Sequence, residues 1–490
     1  RNIFKKNLIK YDGKILDKKQ TKVVLNSSKS LLVIAGAGSG KSLTICAKIN
    51  YLIKNGINEN KIICISFTNE TVKSLEESLL KNNIKTEVKT FHTFALSILK
   101  DSNLKVSPSN MLEYIVEEYF ECLIDDNINV LYEEYLKDIN LNNLKKLITS
   151  FINTLRSYNL NEEYLYNVIK KNIDIKDKIL LIIIIKIIII YKEEKESSNM
   201  LDFEDMLIKA TNKIDKINYF KYKYIIIDEF QDTSITRYNL IKKIIDKFDC
   251  NLLAVGDDYQ SIYSFNGCNL DIFIKFKKYF NNSKIIKLNN TYRNSKDIVE
   301  ISRLFILENH HQINKRLISH NYILSSINIV YSGASTDIER VIKDLDNILI
   351  LGRNNRDIET IIDNDVFVKE DMYIKYKYSK EKKIRFMTVH ESKGLEEDYV
   401  IVLNVVNDTL GFPNKIKEHE PNSEFLYIGT HNRMEKDIVP KKGIPFKSIE
   451  IYGLNRRNLF KKFNVSKDSC LIVGDSEIDI LTAKNSEVDF

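Results

Sequence analysis

Lys41 and Ser42 close the run LLVIAGAGSGKS (31–42), whose residue types and spacing suit a polyphosphate. Gly36, Gly38 and Gly40, separated by Ala37 and Ser39, let the backbone curl so that its N–H groups converge. Ala35 stands where such loops usually begin with Gly. Lys41 would reach the terminal phosphates, and the Ser42 hydroxyl would ligate Mg2+. Asp228 and Glu229, in KYKYIIIDEFQDTS (221–234), are the complementary carboxylates. Asp228 can hold magnesium through water opposite Ser42, and Glu229 can polarise an attacking water. Gln260, in NLLAVGDDYQSIYSFNGC (251–268), offers an amide to sense the terminal phosphate, and Tyr263 and Phe265 follow as base-stacking candidates. Gln20 lies 21 residues ahead of Lys41, where an amide could read both donor and acceptor on an adenine edge. These residues predict a bound nucleoside triphosphate.

The elements that must carry them follow from periodicity. Leu31 to Ala35 read as a buried strand, and LTICAKINYLIKNG as a helix whose N-terminus favours phosphate. KIICISFT (61–68) is a second strand followed by the helix TVKSLEESLLKN, and KTFHTFALSIL (89–99) repeats the design with Phe91, His92 and Phe94 read as exposed. Aromatic and hydroxyl residues at successive strand ends share one edge of a parallel sheet, where such folds bind ligands. Stacking on bases there is worth about 1–3 kcal/mol per base; ordinary core is the other reading of Phe91 and Phe94. Residues 100–200 contain no Gly and read as an inserted helical subdomain, from which LDFEDMLIKA (201–210) returns to the sheet. Within the insert, ILLIIIIKIIII (179–190) is too short for a membrane span of about 20 residues and reads as a buried helix or strand. The strands INIVYSG, NILILGR and IRFMTV, alternating with helices, predict a second α/β unit. Arg293, far in sequence from the phosphate loop, would belong to that unit. An Arg reaching across a cleft makes hydrolysis depend on closure and supplies about 10³–10⁵ in rate.

Bulk properties set the frame. A chain of 490 residues with 43% hydrophobic and 29% charged residues is long enough for about three domains and reads as globular and soluble. A net charge of +7 fits nucleic acid as a partner without demanding it. The six cysteines (46, 64, 122, 250, 268 and 470) form no CxxC pair, which predicts reduced thiols in the cytoplasm. The chain opens at Arg1 with neither Met nor signal peptide, so a missing natural N-terminus is expected.

The stretches LDKKQ, AGAGSGKS, SFTNE, TFHTFA, DFEDML, DEFQDT, VGDDYQSIYSFNG, LNNTYRNS and MTVHESKGLEEDYVIV occur in this order across residues 16 to about 416. In them the chain resembles the UvrD/Rep-type superfamily 1 DNA helicases, most closely the helicase IV-like branch. Asn266 stands where many of that family have Arg. The resemblance implies an α/β fold of two RecA-like P-loop domains, with a helical insertion in the first. ATP would lie between the two domains and single-stranded DNA across them. It implies a first lobe over 1–99 and 201–287, an accessory subdomain over 100–200, and a second lobe over 288–416. By motif, Gln20 would read adenine, Tyr292 would stack on it, Arg293 would be the finger from the second lobe, and Glu396 would touch the ribose. Phe67, His92, Tyr263, Phe265 and His390 fall where the family grips DNA. The implied activity is ATP-dependent movement on single-stranded DNA, 3′ to 5′, with duplex unwinding and a role in DNA repair. A nucleotide-dependent clamp on single strands is the competing expectation, and an RNA-directed motor a weaker one.

Residues 417–490 stand apart as an unassigned tail. EFLYIGTHNRMEKDI (424–438) reads either as a degraded final helicase motif with Arg433 shifted, or as resembling the start of a peptidoglycan UDP-GlcNAc transferase. SCLIVGDSEIDILTAKN resembles the magnesium-binding end of a haloacid-dehalogenase-type phosphatase, through Asp475 and Asp479, but no nucleophile motif accompanies it. Loss of the final motif would weaken hydrolysis more than binding.

Overall fold

A computed structural model describes residues 9–100, 105–125, 140–171, 174–262, 267–307, 312–323, 326–328, 335–343, 345–362, 366–370, 373–405, 427–430 and 446–449. They fall into two compact units, one within Arg1–Val299 and Asn309–Tyr322, the other within Glu300–Glu308 and Ile323–Phe490.

The first unit is built on six strands: β1 (Ser30–Ala35), β2 (Ile62–Ser66), β3 (Glu87–Thr90), β4 (Tyr224–Ile227), β5 (Asn251–Gly256) and β6 (Ser283–Leu288). They form one sheet in the order β6-β1-β5-β4-β2-β3, and every neighbouring pair is parallel. The apolar runs that read as strands are continuous because both faces of this sheet are covered. In β1, Leu32 and Ile34 enter one core while Leu31, Val33 and Ala35 enter the other, as a period of two requires. Helices α1 (Lys18–Val24), α2 (Lys41–Lys54) and α3 (Asn69–Leu80) contribute to the second core. Helix α4 (Phe91–Leu99) contributes to the first. Its Phe91, Phe94, Ala95 and Ile98 fall on one helical face and are buried, so Phe91 and Phe94 are core residues rather than exposed ones.

Among its described residues the insert includes α5 (Met111–Asp125), α6 (Leu141–Ser157), α7 (Glu162–Ile169) and α8 (Ile175–Ser197), around a core of its own that includes Phe120, Ile148, Ile152 and Ile187. The Ile-rich run is therefore helix, and among the described residues no helix is long and apolar enough to cross a membrane. A half-buried ionic cluster ties the insert to α9 (Phe203–Ile214). Arg156 binds Asp202 and Asp205 (2.7 Å to the latter), Lys195 lies 2.8 Å from Asp202 and pairs with Asp205, and Tyr191 donates to Asp202 at 2.8 Å. Although burial works against ionisation, Arg156 and Lys195 hold the Asp202 carboxyl far below the usual carboxylate range.

The boundary expected after residue 287 falls inside this unit. Asn290–Thr291 pairs in parallel with Ile318–Ser319, and Thr291 Oγ1 donates to the Ala37 carbonyl at 2.8 Å, which holds the segment beyond β6 against the phosphate loop.

The second unit carries β7 (Ile348–Gly352), β8 (Phe367–Glu370), β9 (Tyr373–Tyr376), β10 (Ser379–Thr388) and β11 (Tyr399–Val402), in the order β8-β9-β10-β7-β11. β7 is parallel to β10 and β11, but β8, β9 and β10 pair antiparallel, so two strands stand where sequence periodicity suggested only helical crossovers. Most of INIVYSG lies outside the described residues, as do Arg433, Asp475 and Asp479. In the tail, Tyr427–Thr430 and Phe446–Ile449 pair in parallel. Among the described residues the cysteines form no disulfide.

Candidate functional site

Because the six strands are parallel, β1, β5, β4, β2 and β3 all deliver their following loops to one edge. β1 leads into the Gly-rich loop, and α2 begins at Lys41 with Gly40 as its N-cap at φ +77°. Gly38 is also left-handed, at φ +69°. Close approach is the second reason for glycine here. A Cβ on Gly38 would lie 2.4 Å from Arg293 Cβ and 2.7 Å from Thr291 Oγ1, and one on Gly40 would lie 2.7 Å from Gln20 Nε2. Gly36 faces Leu317 in the same way. Ser42 is exposed, whereas Ser39 is buried and its hydroxyl lacks a hydrogen-bond partner among the described residues. Such a hydroxyl, beside the N–H groups of a helix start, fits a phosphate oxygen.

Lys41 is held by the two neighbouring loops. Its Nζ lies 2.8 and 3.0 Å from the Glu229 carboxylate oxygens and 3.4 Å from Gln260 Oε1. Burial alone would lower its pKa, but Glu229, Asp228 and Asp257 together raise it, so the ammonium stays charged. Asp228, at the end of β4, is buried. Burial, and then the neighbouring Glu229 charge, push its carboxyl up, with Lys41 opposing. Glu229 is left-handed at φ +51°, a conformation that costs a side-chain-bearing residue about 1–3 kcal/mol. Around this turn the Glu229 N–H donates to Asp228 Oδ1 at 2.9 Å, and Gln231 Nε2 donates to Glu229 Oε2 at 2.7 Å. Gln260 in turn donates through Nε2 to Asp257 Oδ2 at 3.0 Å. Ser42 and Asp228 offer hard oxygen donors of the kind Mg2+ prefers.

On the other side of the loop, Asp17 caps α1 and organises the expected base site. Gln20 Oε1 accepts from the Asp17 N–H at 2.9 Å, and Gln20 Nε2 donates to the Ser39 carbonyl at 3.0 Å. The amide thus supports the phosphate loop. Tyr292 is exposed, and its hydroxyl donates to Asp17 Oδ2 at 2.9 Å, alongside Asn290 Nδ2 at 3.0 Å. The Tyr292 N–H donates to the Gly38 carbonyl at 2.9 Å. Gln20, Tyr292 and the loop are therefore brought together. Arg293, expected from a second unit, lies in the first, with its Cβ against Gly38. Glu396 and His390 are exposed in the second unit, following β10.

Further along the edge, Phe67 packs edge-on against Phe91 at 5.3 Å, with the Arg237 guanidinium 5.0 Å from the Phe67 ring centre. His92 stacks on Phe203 at 4.3 Å and 27°. Burial and then the Arg237 charge push the His92 pKa down to about 4, so the ring is neutral at pH 7. Its Nε2 has no hydrogen-bond partner among the described residues. Tyr263 and Phe265 lie outside the described residues. Phe203, Gln231 and Arg237 were not singled out from sequence. Phe203 and Gln231 sit inside the recognised stretches DFEDML and DEFQDT, whereas nothing local marks Arg237.

Comparison with known proteins gives the family. Residues 16–281, just over half of the chain, match the family described as UvrD/REP helicase N-terminal domain. A probable DNA helicase II homolog of Mycoplasma capricolum is 28% identical over 477 residues, covering 91% of this chain and 60% of that protein. The ATP-dependent DNA helicase Rep of Buchnera aphidicola subsp. Acyrthosiphon pisum is 33% identical over 305 residues, 59% of this chain and 44% of the relative. Rep of Escherichia coli is 28% identical over 308 residues, 59% and 42% respectively. The chain thus spans roughly half the length of these relatives. With a glycine loop, an Asp-Glu strand end and a Gln-bearing turn converging on Lys41, and with the family match running from α1 almost to β6, the chain belongs to the UvrD/REP helicase family.

Proposed function

We propose that this chain is the motor portion of an ATP-dependent DNA helicase, hydrolysing ATP to move 3′ to 5′ on single-stranded DNA and open duplex. The observation that carries the reading is the position of Lys41, between Glu229 and Gln260 and on the same sheet edge as Phe67, His92 and Phe203. A terminal phosphate at the loop would compete with Glu229 for the Lys41 ammonium. The released carboxylate could then orient and polarise the attacking water. Gln260, bonded to Lys41 on one side and Asp257 on the other, would register the phosphate's presence. Arg293 would stabilise charge developing on the transferred group. Ser42 and Asp228 would hold Mg2+, which when bound neutralises phosphate charge. Gln20 and Tyr292 would take the adenine and Glu396 the ribose. Phe67, His92, Tyr263, Phe265 and His390 would grip the strand, through base stacking at the aromatic positions.

ATPase rate with and without single-stranded DNA, and unwinding of a duplex with a 3′ single-stranded tail, test the reading. Expected are DNA stimulation, strand separation, and loss of both on Lys41→Ala. A hydrolysis rate indifferent to DNA and to Lys41→Ala would refute the motor. ATP-sensitive binding of single strands without unwinding would instead identify a clamp.

A further inference from the structure

Lys315 carries no motif and was given no role from sequence, yet it is a buried charged residue near the phosphate site. It is 4% exposed, and Asp257 and Asp258 are 1% and 0% exposed. Its Nζ pairs with both carboxylates at once and lies 3.7 Å from the centre of the Tyr259 ring. Two adjacent buried carboxylates repel each other and are costly to desolvate, and one ammonium between them compensates both effects. The Asp257 carboxylate is shared: Oδ1 takes Lys315, and Oδ2 accepts from Gln260 Nε2 at 3.0 Å. The Asp257 N–H donates to Gln231 Oε1 at 2.9 Å, and Gln231 Nε2 reaches Glu229. Lys315 therefore stands directly behind the two amides that contact Lys41 and Glu229.

The segment bearing Lys315 also reaches the other wall of the site. The Ile313 N–H donates to Asp258 Oδ2 at 2.7 Å, Leu317 faces Gly36, and Ile318–Ser319 pairs with Asn290–Thr291. Asn321 Nδ2 then donates to the carbonyls of Tyr292 and Arg293 at 3.2 and 3.3 Å. Residues 313–321 thus bind the Asp257–Gln260 turn at one end and the Tyr292–Arg293 segment at the other.

We infer that Lys315 is a positioning residue of the phosphate site. By pinning the Asp257–Asp258 turn it fixes the Gln260 and Gln231 amides against Lys41 and Glu229. Through the 313–321 strap it sets their register with Tyr292 and Arg293. The inference rests on the reading of this site as one that hydrolyses ATP.

The test compares Lys315→Met, Lys315→Arg and Asp257→Asn in the full chain. It reads kcat, KM, affinity for ADP and for a non-hydrolysable ATP analogue, and the melting temperature. Displacing a reacting or sensing group by about 1 Å costs on the order of 10²-fold. Lys315→Met should therefore lower kcat by between about tenfold and 10²-fold. It should also weaken the ATP analogue while leaving ADP affinity near that of the parent. Lys315→Arg should recover part of the loss, and adding Gln260→Ala to Lys315→Met should cost little more, because both act on one amide. Asp257→Asn leaves a balanced Lys315–Asp258 pair, so it reports the same split even if Lys315→Met fails to fold. A lowered melting temperature with unchanged kcat and unchanged discrimination of ATP analogue from ADP, in either variant, would overturn the inference. Absence of Lys41-dependent hydrolysis in the parent would instead overturn the functional reading, and the two-nucleotide comparison would still decide the role of Lys315.

Discussion

Gly38→Ala probes the claim that the Tyr292–Arg293 segment is built against the phosphate loop. The substitution adds one methyl group in a left-handed conformation at φ +69°, which by itself costs roughly 1–2 kcal/mol. The methyl would also sit 2.4 Å from Arg293 Cβ and 2.7 Å from Thr291 Oγ1, so the segment must retreat. Retreat breaks the bonds from Thr291 Oγ1 to Ala37 and from the Tyr292 N–H to Gly38, each worth about 1 kcal/mol. Gly56→Ala isolates the first effect. Gly56 is left-handed at φ +84°, just beyond α2, and its added Cβ would meet nothing within 4 Å. The two variants should therefore share the conformational penalty and differ by about 2 kcal/mol, or roughly 30-fold in nucleotide affinity. Titration with a fluorescent ATP analogue reads this difference, and thermal melting reads the shared penalty together with the lost bonds. Affinity in Gly38→Ala within threefold of Gly56→Ala would refute the packing of this segment on the loop.

Glu229→Gln should bind ATP at least as well as the parent, since Lys41 loses its competing carboxylate, while single-turnover hydrolysis falls by about 10²–10⁴-fold; a loss under fivefold would remove Glu229 as the base. His92 has a folded pKa below its ordinary value, so the unfolded chain binds the extra proton between about pH 6.5 and 4. Stability should fall as pH drops through that window, by up to about 3 kcal/mol, and a denaturation series should show the parent losing more stability over it than His92→Asn. Arg156→Ala leaves Asp202 and Asp205 with Lys195 as their remaining cation in this cluster, beside the Tyr191 hydroxyl, and should cost about 3 kcal/mol, read as faster proteolysis between the helical insert and α9. Equal cleavage rates in the two proteins would show the cluster to be dispensable.

The phosphate loop, the Asp-Glu strand end and the parallel sheet were legible because each is encoded locally. Glycines, a Lys-Ser pair and continuous apolar runs sit within a dozen residues of one another, and only a few backbone conformations satisfy them. Phe91 and Phe94 misled because an aromatic at a strand end and an aromatic on a buried helical face look alike until the helix is phased. Gln20 was expected to read a base, but the bonds it makes, to the Ser39 carbonyl and the Asp17 N–H, depend on how α1 docks. The docking of residues 290–293 on the loop was not legible for a similar reason, since Thr291 and Tyr292 are held by carbonyls more than 250 positions away. By itself, then, the sequence determined a strand, a glycine loop and a helix in succession, and a second strand with carboxylates at its end. Tertiary structure alone decided the partners of Arg156, Gln231, Arg237 and Lys315. Their contacts are long-range pairings of common residue types, and no local pattern distinguishes a lysine destined for two buried aspartates from the many that face water.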